Sequence, residues 1–157
     1  MRRSLTVPGR PEQAAAARRF VAGALGRRHP LAEAAVLLVS ELVANSLRHS
    51  ASARDGGTIT ITVIATPEDH IRVEVTDDGA PTLPAARPAR GDAEDGRGLH
   101  LVSAVAAAWN CSRTGHRTTT WFELAGDRRH ALLGSGLSLA PGSRRGLRRT
   151  PGRRPAC

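Results

Sequence analysis

Glu41, Asn45 and Arg48 follow one another at spacings of four and three residues. At 100° per residue such a triplet falls within a sector of roughly 60° on a helix. A carboxamide oxygen is a hard, neutral ligand of the kind Mg²⁺ accepts, the ion keeping several waters and drawing its other oxygens from phosphates. A carboxylate one turn earlier is placed to take a proton from a hydroxyl or a water. The plainer reading of the triplet is the solvated edge of an amphipathic helix. A second cluster, Asp77-Asp78-Gly79-Ala80-Pro81, closes a run of alternating residues. A carboxylate there can accept from an exocyclic amine such as that of adenine, and a glycine lets a flat ring approach the backbone; the plainer reading is an Asp-Gly turn. The third cluster is Asp95-Gly96-Arg97-Gly98-Leu99. Glycines opening a helix expose N–H groups to phosphate oxygens, and Arg97 adds a fork of donors. This is no dinucleotide fingerprint, because Leu101 stands where the third glycine belongs and a loop precedes it.

Hydrophobic periodicity supplies the elements that must hold these clusters. Residues 1–10 read as an arm in which Ser4 to Val7 form an edge strand. Pro11 suits a first helical position, and Ala17, Phe20, Val21, Ala24 and Leu25 recur at helical spacing as far as Gly26. Pro30 opens a longer helix to about Ser50, with Leu31, Leu38, Leu42 and His49 on one stripe and Val36, Val39, Val43 and Leu47 on the next. On that stripe His49 is expected to pack. Ile59, Ile61 and Val63 alternate with threonines, and Ile71, Val73 and Val75 with polar residues, predicting an antiparallel hairpin with one buried face. Residues 79–96 have no period and read as a long surface loop, a length often reserved for lids. A third helix is predicted over 99–108 and a last hairpin over 110–114 and 118–124. Beyond Asp127 pattern is lost, and 128–157 reads as a disordered Arg/Pro/Gly tail. The order predicts an α+β two-layer sandwich, an antiparallel-dominated sheet covered on one face by three helices.

Composition removes other classes. The chain has 157 residues, enough for one domain, and with aromatics at 3% its core must be mostly Ala, Val, Leu and Ile. All 23 basic residues are arginine. Without lysine there is no P-loop, no ordinary protein-kinase strand lysine and no Schiff-base amine, so a nucleotide must be held another way. The net charge of +9 invites a nucleic-acid reading, but 14 Arg balance 14 Asp plus Glu between Pro11 and Ala140. The excess lies at the two ends, no basic face is indicated on the body, and nucleic acid is not the expected partner. Cys111 and Cys157 are too few for a disulfide framework or a thiolate zinc site. No apolar run approaches the ~18 residues of a membrane span, and the expectation is a cytoplasmic protein.

An Asn on a helix, an Asp-x-Gly after a strand, a long loop and a Gly-x-Gly opening a helix, in that order, resemble the N, G1 and G2 boxes of the GHKL (Bergerat-fold) ATPase/kinase superfamily. Ser-Glu-Leu-Val-Ala-Asn-Ser-Leu-Arg-His (Ser40 to His49), Asp77-Asp78-Gly79, Gly96-Arg97-Gly98-Leu99 and Thr119-Thr120-Trp121-Phe122-Glu123-Leu124 look like its stand-alone bacterial anti-sigma-factor serine kinases. The resemblance implies a histidine-kinase-like ATP-binding domain over 11–127 with an ATP lid. It implies Mg²⁺ on Asn45, Glu41 as general base, Asp77 on the adenine amine and Gly79 against the base. Gly96, Arg97, Gly98 and Leu99 would close on the phosphates, Arg48 belongs to a basic pair, and a Thr of the penultimate strand nears the nucleotide. Strand parity selects Thr118, on the face of Phe122 and Leu124. The implied activity is transfer of the ATP γ-phosphoryl group to a serine of an antagonist protein, with a sigma factor as second partner and a homodimer as the working form. Two positions depart from the pattern: Pro81 replaces the second glycine of the G1 box, and Arg117 stands where a glycine often precedes the Thr. The alternative is a catalytically silent ATP-binding module that sequesters a regulatory partner.

Overall fold

A computed structural model describes residues 1–26, 28–67, 70–80 and 97–126, with the backbone alone of Arg97. Strand β1 (Arg2–Pro8) leads through a 3-10 turn (Pro11–Gln13) into helix α1 (Ala14–Leu25). Helix α2 (Ala32–His49) is followed by the hairpin β2 (Thr58–Ala65) and β3 (His70–Asp77), helix α3 (Arg97–Val105), and the hairpin β4 (Ala108–Thr114) and β5 (Arg117–Ala125). The strands form one sheet in the order β1-β2-β3-β5-β4, each pair antiparallel. This is the α+β sandwich that the pattern predicts, and the β1 arm is an edge strand.

Alternation dictates the two faces. Ile59, Ile61 and Val63 of β2, Ile71, Val73 and Val75 of β3, and Phe122 and Leu124 of β5 are buried against Ala17 and Val21 of α1, Leu38, Val39, Leu42 and Val43 of α2, and Leu99 and Val102 of α3. Among the described residues Phe122 is the one aromatic ring fully buried, so the core is aliphatic as composition requires. The outer face is polar and self-paired. Thr6 meets Thr60, Ser4 meets Thr62 and Thr76 meets Thr119 through hydroxyls at 2.9 Å, and Arg72 lies 3.7 Å over the Trp121 ring while bonding Glu74 and Glu123.

Two boundaries depart from the periodicity. The Ala-rich stretch predicted to continue the third helix to 108 stops at Val105, and β4 starts at Ala108. Helix propensity favours alanine, but the Ala107 N–H bonds the Glu123 carbonyl and Ala108 to Thr114 pair along β5, so the ladder wins. The Trp109 indole reaches back from β4 to donate to Ser103 Oγ at 2.9 Å. His49 is a second correction: it is exposed at the last turn of α2, not packed.

Candidate functional site

The inner face of the sheet is apolar along β2, β3 and β5 until its last row. There Ile59, Asp77 and Thr118 stand side by side in register, under α2. Asp77 is 4% exposed and Thr118 1%. A carboxylate so enclosed must be held by donors. The Gly79 N–H donates to Asp77 Oδ1 at 2.8 Å, and the hydroxyl of Ser46, 3% exposed on α2, stands beside the same carboxylate and favours its charged form. Burial raises the Asp77 carboxyl above its ordinary value of 3.8; Ser46 and the bond from Gly79 pull it down, Asp78 pushes it up, and Arg113 lowers it. Thr118 Oγ1 is buried with no partner among the described residues. An orphaned hydroxyl beside a desolvated carboxyl leaves acceptor and donor capacity that a bound polar ring edge or a water would fill.

Neighbouring residues fix the end of β3. The Asp78 N–H donates to Ser52 Oγ (2.8 Å), Ser52 donates to the Thr58 carbonyl (2.6 Å), and Asp78 Oδ2 accepts from the Thr58 N–H (2.7 Å). Arg117, the departure from the expected glycine, pairs with Asp78 at 3.3 Å. Gly79 has φ +87°, and a Cβ there would overlap the His116 carbonyl of the β4–β5 turn. That close approach is what requires glycine at 79. The space its missing side chain frees is taken by protein, a different reason from the approach of a base that the sequence implies.

One turn before Asn45, near the middle of α2, Glu41 meets the start of α3. A Cβ on Gly98 would lie 2.5 Å from Glu41 Oε2, so the carboxylate occupies the hollow that Gly98 leaves. Glu41 and Asn45 are both half-buried. Leu99 turns its side chain into the core, 6% exposed, so only its backbone remains available to a ligand. Arg97 opens α3 with its side chain outside the described residues, as are Gly96, Pro81 and the expected lid. Arg48 is exposed at the far end of α2 and lines a cavity with His49 and Gly79. The structure therefore brings Asp77 and Thr118 into one row and Glu41 onto Gly98, and sets Arg48 apart from that contact. Ser46 and Ser52 escaped the sequence reading; a serine at a core-facing position of an otherwise aliphatic helix was the available signal for Ser46.

The donor set suits the groups the motifs imply. The Asn45 and Glu41 oxygens are hard ligands of the Mg²⁺ type, and the Asp77–Thr118 row offers an acceptor and a hydroxyl to an amino-purine edge. Among the described residues no group of three or more His, Cys, Asp or Glu could hold a metal ion.

A helix-covered antiparallel sheet with its polar row at one end and a glycine-seated carboxylate at the other is an ATP-binding, kinase-like module of the GHKL superfamily. The chain belongs to the histidine kinase-like ATPase domain family, whose profile matches residues 7–124. It resembles the structure of the RsbU and RsbW domains of Rv1364c from Mycobacterium tuberculosis at 16% identity and a TM-score of 0.52, covering 77% of this chain and 32% of that one. It also resembles the histidine kinase domain of a blue-light activated histidine kinase from Erythrobacter litoralis, at 22% identity and a TM-score of 0.49 over 78% of this chain and 64% of that one. These likenesses are of fold. The chain spans about a third of the first structure it matches. No curated protein matches it. Among the described residues no helix is long and apolar enough to cross a membrane.

Proposed function

We propose that this chain is an ATP- and Mg²⁺-dependent protein serine/threonine kinase that acts as an anti-sigma regulatory factor, phosphorylating an antagonist protein and binding a sigma factor as a homodimer in the cytoplasm. Residues 11–127 carry the ATP-binding domain. The observation that carries the reading is that Glu41 fills the hollow at Gly98 while, five residues along the same helix, Ser46 stands beside Asp77. One helix thus links the motif at the start of α3 with the motif at the end of β3.

In this reading Asp77 accepts from the adenine amine and Thr118 supplies the hydroxyl beside it. Asn45 holds Mg²⁺, which when bound neutralises charge on the phosphates. The phosphate oxygens are assigned to the backbone N–H groups at the opening of α3, with Gly96 and Arg97 as further contacts. Glu41 takes the proton of the incoming hydroxyl as it attacks, a carboxylate half-buried and within reach of the phosphate end.

Calorimetric titration with ATP and Mg²⁺ tests the site: wild type releases heat and Asn45→Ala loses most of the Mg²⁺-dependent part. Labelled ATP with a panel of candidate antagonists tests the activity. Transfer abolished in Glu41→Gln with ATP binding retained supports the kinase; ATP binding with no transfer by wild type to any antagonist leaves the silent module.

A further inference from the structure

Between α2 and β2 the chain makes a single 3-10 turn, Ala51–Ala53. Its sequence carries no motif, yet it holds both residues that follow Asp77. The Ala51 N–H donates to the Gly79 carbonyl at 2.7 Å, and Ser52 Oγ accepts from the Asp78 N–H at 2.8 Å. Ser52 is 0% exposed, and its own hydroxyl proton goes to the Thr58 carbonyl at 2.6 Å. Ser50 Oγ closes the turn by accepting from the Ser52 N–H at 3.1 Å. The Ser52 carbonyl, on the opposite side, is seated against two glycines: a Cβ on Gly9 or on Gly57 would overlap it. Neither glycine has the positive φ that would otherwise call for one. Both are therefore required by the approach of this turn to the ends of β1 and β2.

These bonds decide where β3 leaves the sheet. The β2–β3 register ends with Ile59 opposite Asp77, and one more step would set Thr58 opposite Asp78. Side-chain oxygens take the place of that step. The Thr58 N–H goes to Asp78 Oδ2, the Thr58 carbonyl accepts from Ser52, and the Asp78 N–H goes to Ser52. A backbone that departs from a ladder in a buried place needs such substitutes, because an unpaired N–H or carbonyl there is costly. With them in place the chain turns at Gly79, φ +87°, and brings the Gly79 N–H back onto Asp77 Oδ1 at 2.8 Å. Among the described residues Ser52 is the one side chain that bonds both strands at this point. Fully buried, it cannot touch a ligand itself; it acts through the residues on either side of it in space.

We propose that Ser52 is a positioning residue for nucleotide recognition: by ending β3 after Asp77 it sets where the Asp77 carboxylate and the Gly79 backbone stand against the base. The proposal rests on the reading in which Asp77 accepts from the adenine amine. A hydrogen bond weakens steeply once its partners part by a few tenths of an ångström or tilt, so a turn that drifts by that much loses the base while leaving the phosphate contacts at α3 as they were. A serine kept for stability alone would produce no such selectivity.

The experiment is calorimetric titration of the full chain with ATP and Mg²⁺, repeated with inorganic tripolyphosphate as a competitor so that only binding at the same site counts. Ser52→Ala is expected to weaken ATP about tenfold, the equivalent of one hydrogen bond, and to leave the affinity for tripolyphosphate at the wild-type value. Ser52→Cys keeps a weak donor and acceptor in place and is expected to restore part of the loss; it carries the test if Ser52→Ala does not fold. Amide exchange followed by NMR on the nucleotide-free protein gives a second reading: the Asp78 and Gly79 N–H groups lose protection in either variant, while Val63 and Val73 at the centre of the β2–β3 ladder keep theirs. Wild type that binds no ATP overturns the nucleotide reading and this proposal with it. Wild type that binds ATP no better than the two variants overturns this proposal alone, as does an equal loss of ATP and tripolyphosphate affinity, or unchanged protection at Asp78 and Gly79.

Discussion

Two neighbouring turns of α2 are built on opposite principles. At Ser46 the helix seals a polar row into the sheet: Asp77 and Thr118 are nearly inaccessible, the carboxylate accepts from the Gly79 N–H, and burial weighs on its charge. At Glu41 the carboxylate is half-buried and rests in a hollow against a glycine, with no hydrogen-bond partner among the described residues. A rigid, desolvated pair is suited to recognising a flat polar edge, where an unmade bond is expensive. An adjustable carboxylate is suited to moving a proton, because it can follow the reacting hydroxyl. Recognition and chemistry are thus assigned to different degrees of burial along one helix.

Substitution at either position tests that division. Glu41→Gln removes the base and keeps the shape, so phosphotransfer is expected to fall by about a hundred- to ten-thousandfold in a labelled-ATP assay while the dissociation constant for ATP is nearly unchanged. Equal losses in both measurements would erase the distinction. Asp77→Asn reverses the pattern: an amide can present a donor where the adenine amine needs an acceptor, and ATP affinity is expected to drop by about one to two orders of magnitude in calorimetry. The same variant carries a pH signature. The folded carboxyl of Asp77 titrates above the 3.8 of the free side chain. Between those two values the native state holds more protons than the unfolded chain, so this group's stabilising contribution is present below 3.8 and is lost as pH rises through the folded value. Denaturation followed from low to neutral pH is therefore expected to show Asp77→Asn gaining on wild type as pH increases; a variant that loses ground to wild type as pH rises contradicts the desolvated row.

Gly98→Ala probes the contact between the two motifs. The new methyl would stand 2.5 Å from Glu41 Oε2, and because the far end of a flexible side chain can yield, the fold survives while the carboxylate is displaced. A shift of that order is expected to slow transfer about tenfold, with a smaller effect on ATP affinity. Stopped-flow or end-point assays on the double variant with Glu41→Gln sharpen the point, since Gly98→Ala then has little left to remove.

The strands and helices were legible in sequence because period-2 and period-3.6 patterns are set by burial on one face, and both hairpins and α2 follow them closely. The end of α3 was not, because Ala106 to Ala108 have no face to declare and the β5 ladder decided their conformation. The motif residues were legible as types. Their supports were not: Ser46 and Ser52 act only through partners distant in sequence, Asp77 for one and Thr58 and Asp78 for the other. Gly79 was legible as a glycine, yet the carbonyl that demands it belongs to His116, 37 residues later.

Thr118 supplies the smallest expected effect and the one whose sign is most diagnostic. Its hydroxyl is buried without a partner among the described residues, while its methyl faces the same surroundings as the rest of the inner sheet. Thr118→Val keeps the branched shape and removes the unsatisfied group, so in the absence of nucleotide the variant is expected to be more stable by about 1 kcal/mol in chemical denaturation. With ATP present the hydroxyl has work to do, and affinity is expected to fall about fivefold, a comparable free energy of opposite sign. A residue kept only for packing would show the gain without the loss, and a hydroxyl satisfied by an internal water in both states would show neither. Opposite signs in the two measurements are what a polar row reserved for a ligand requires.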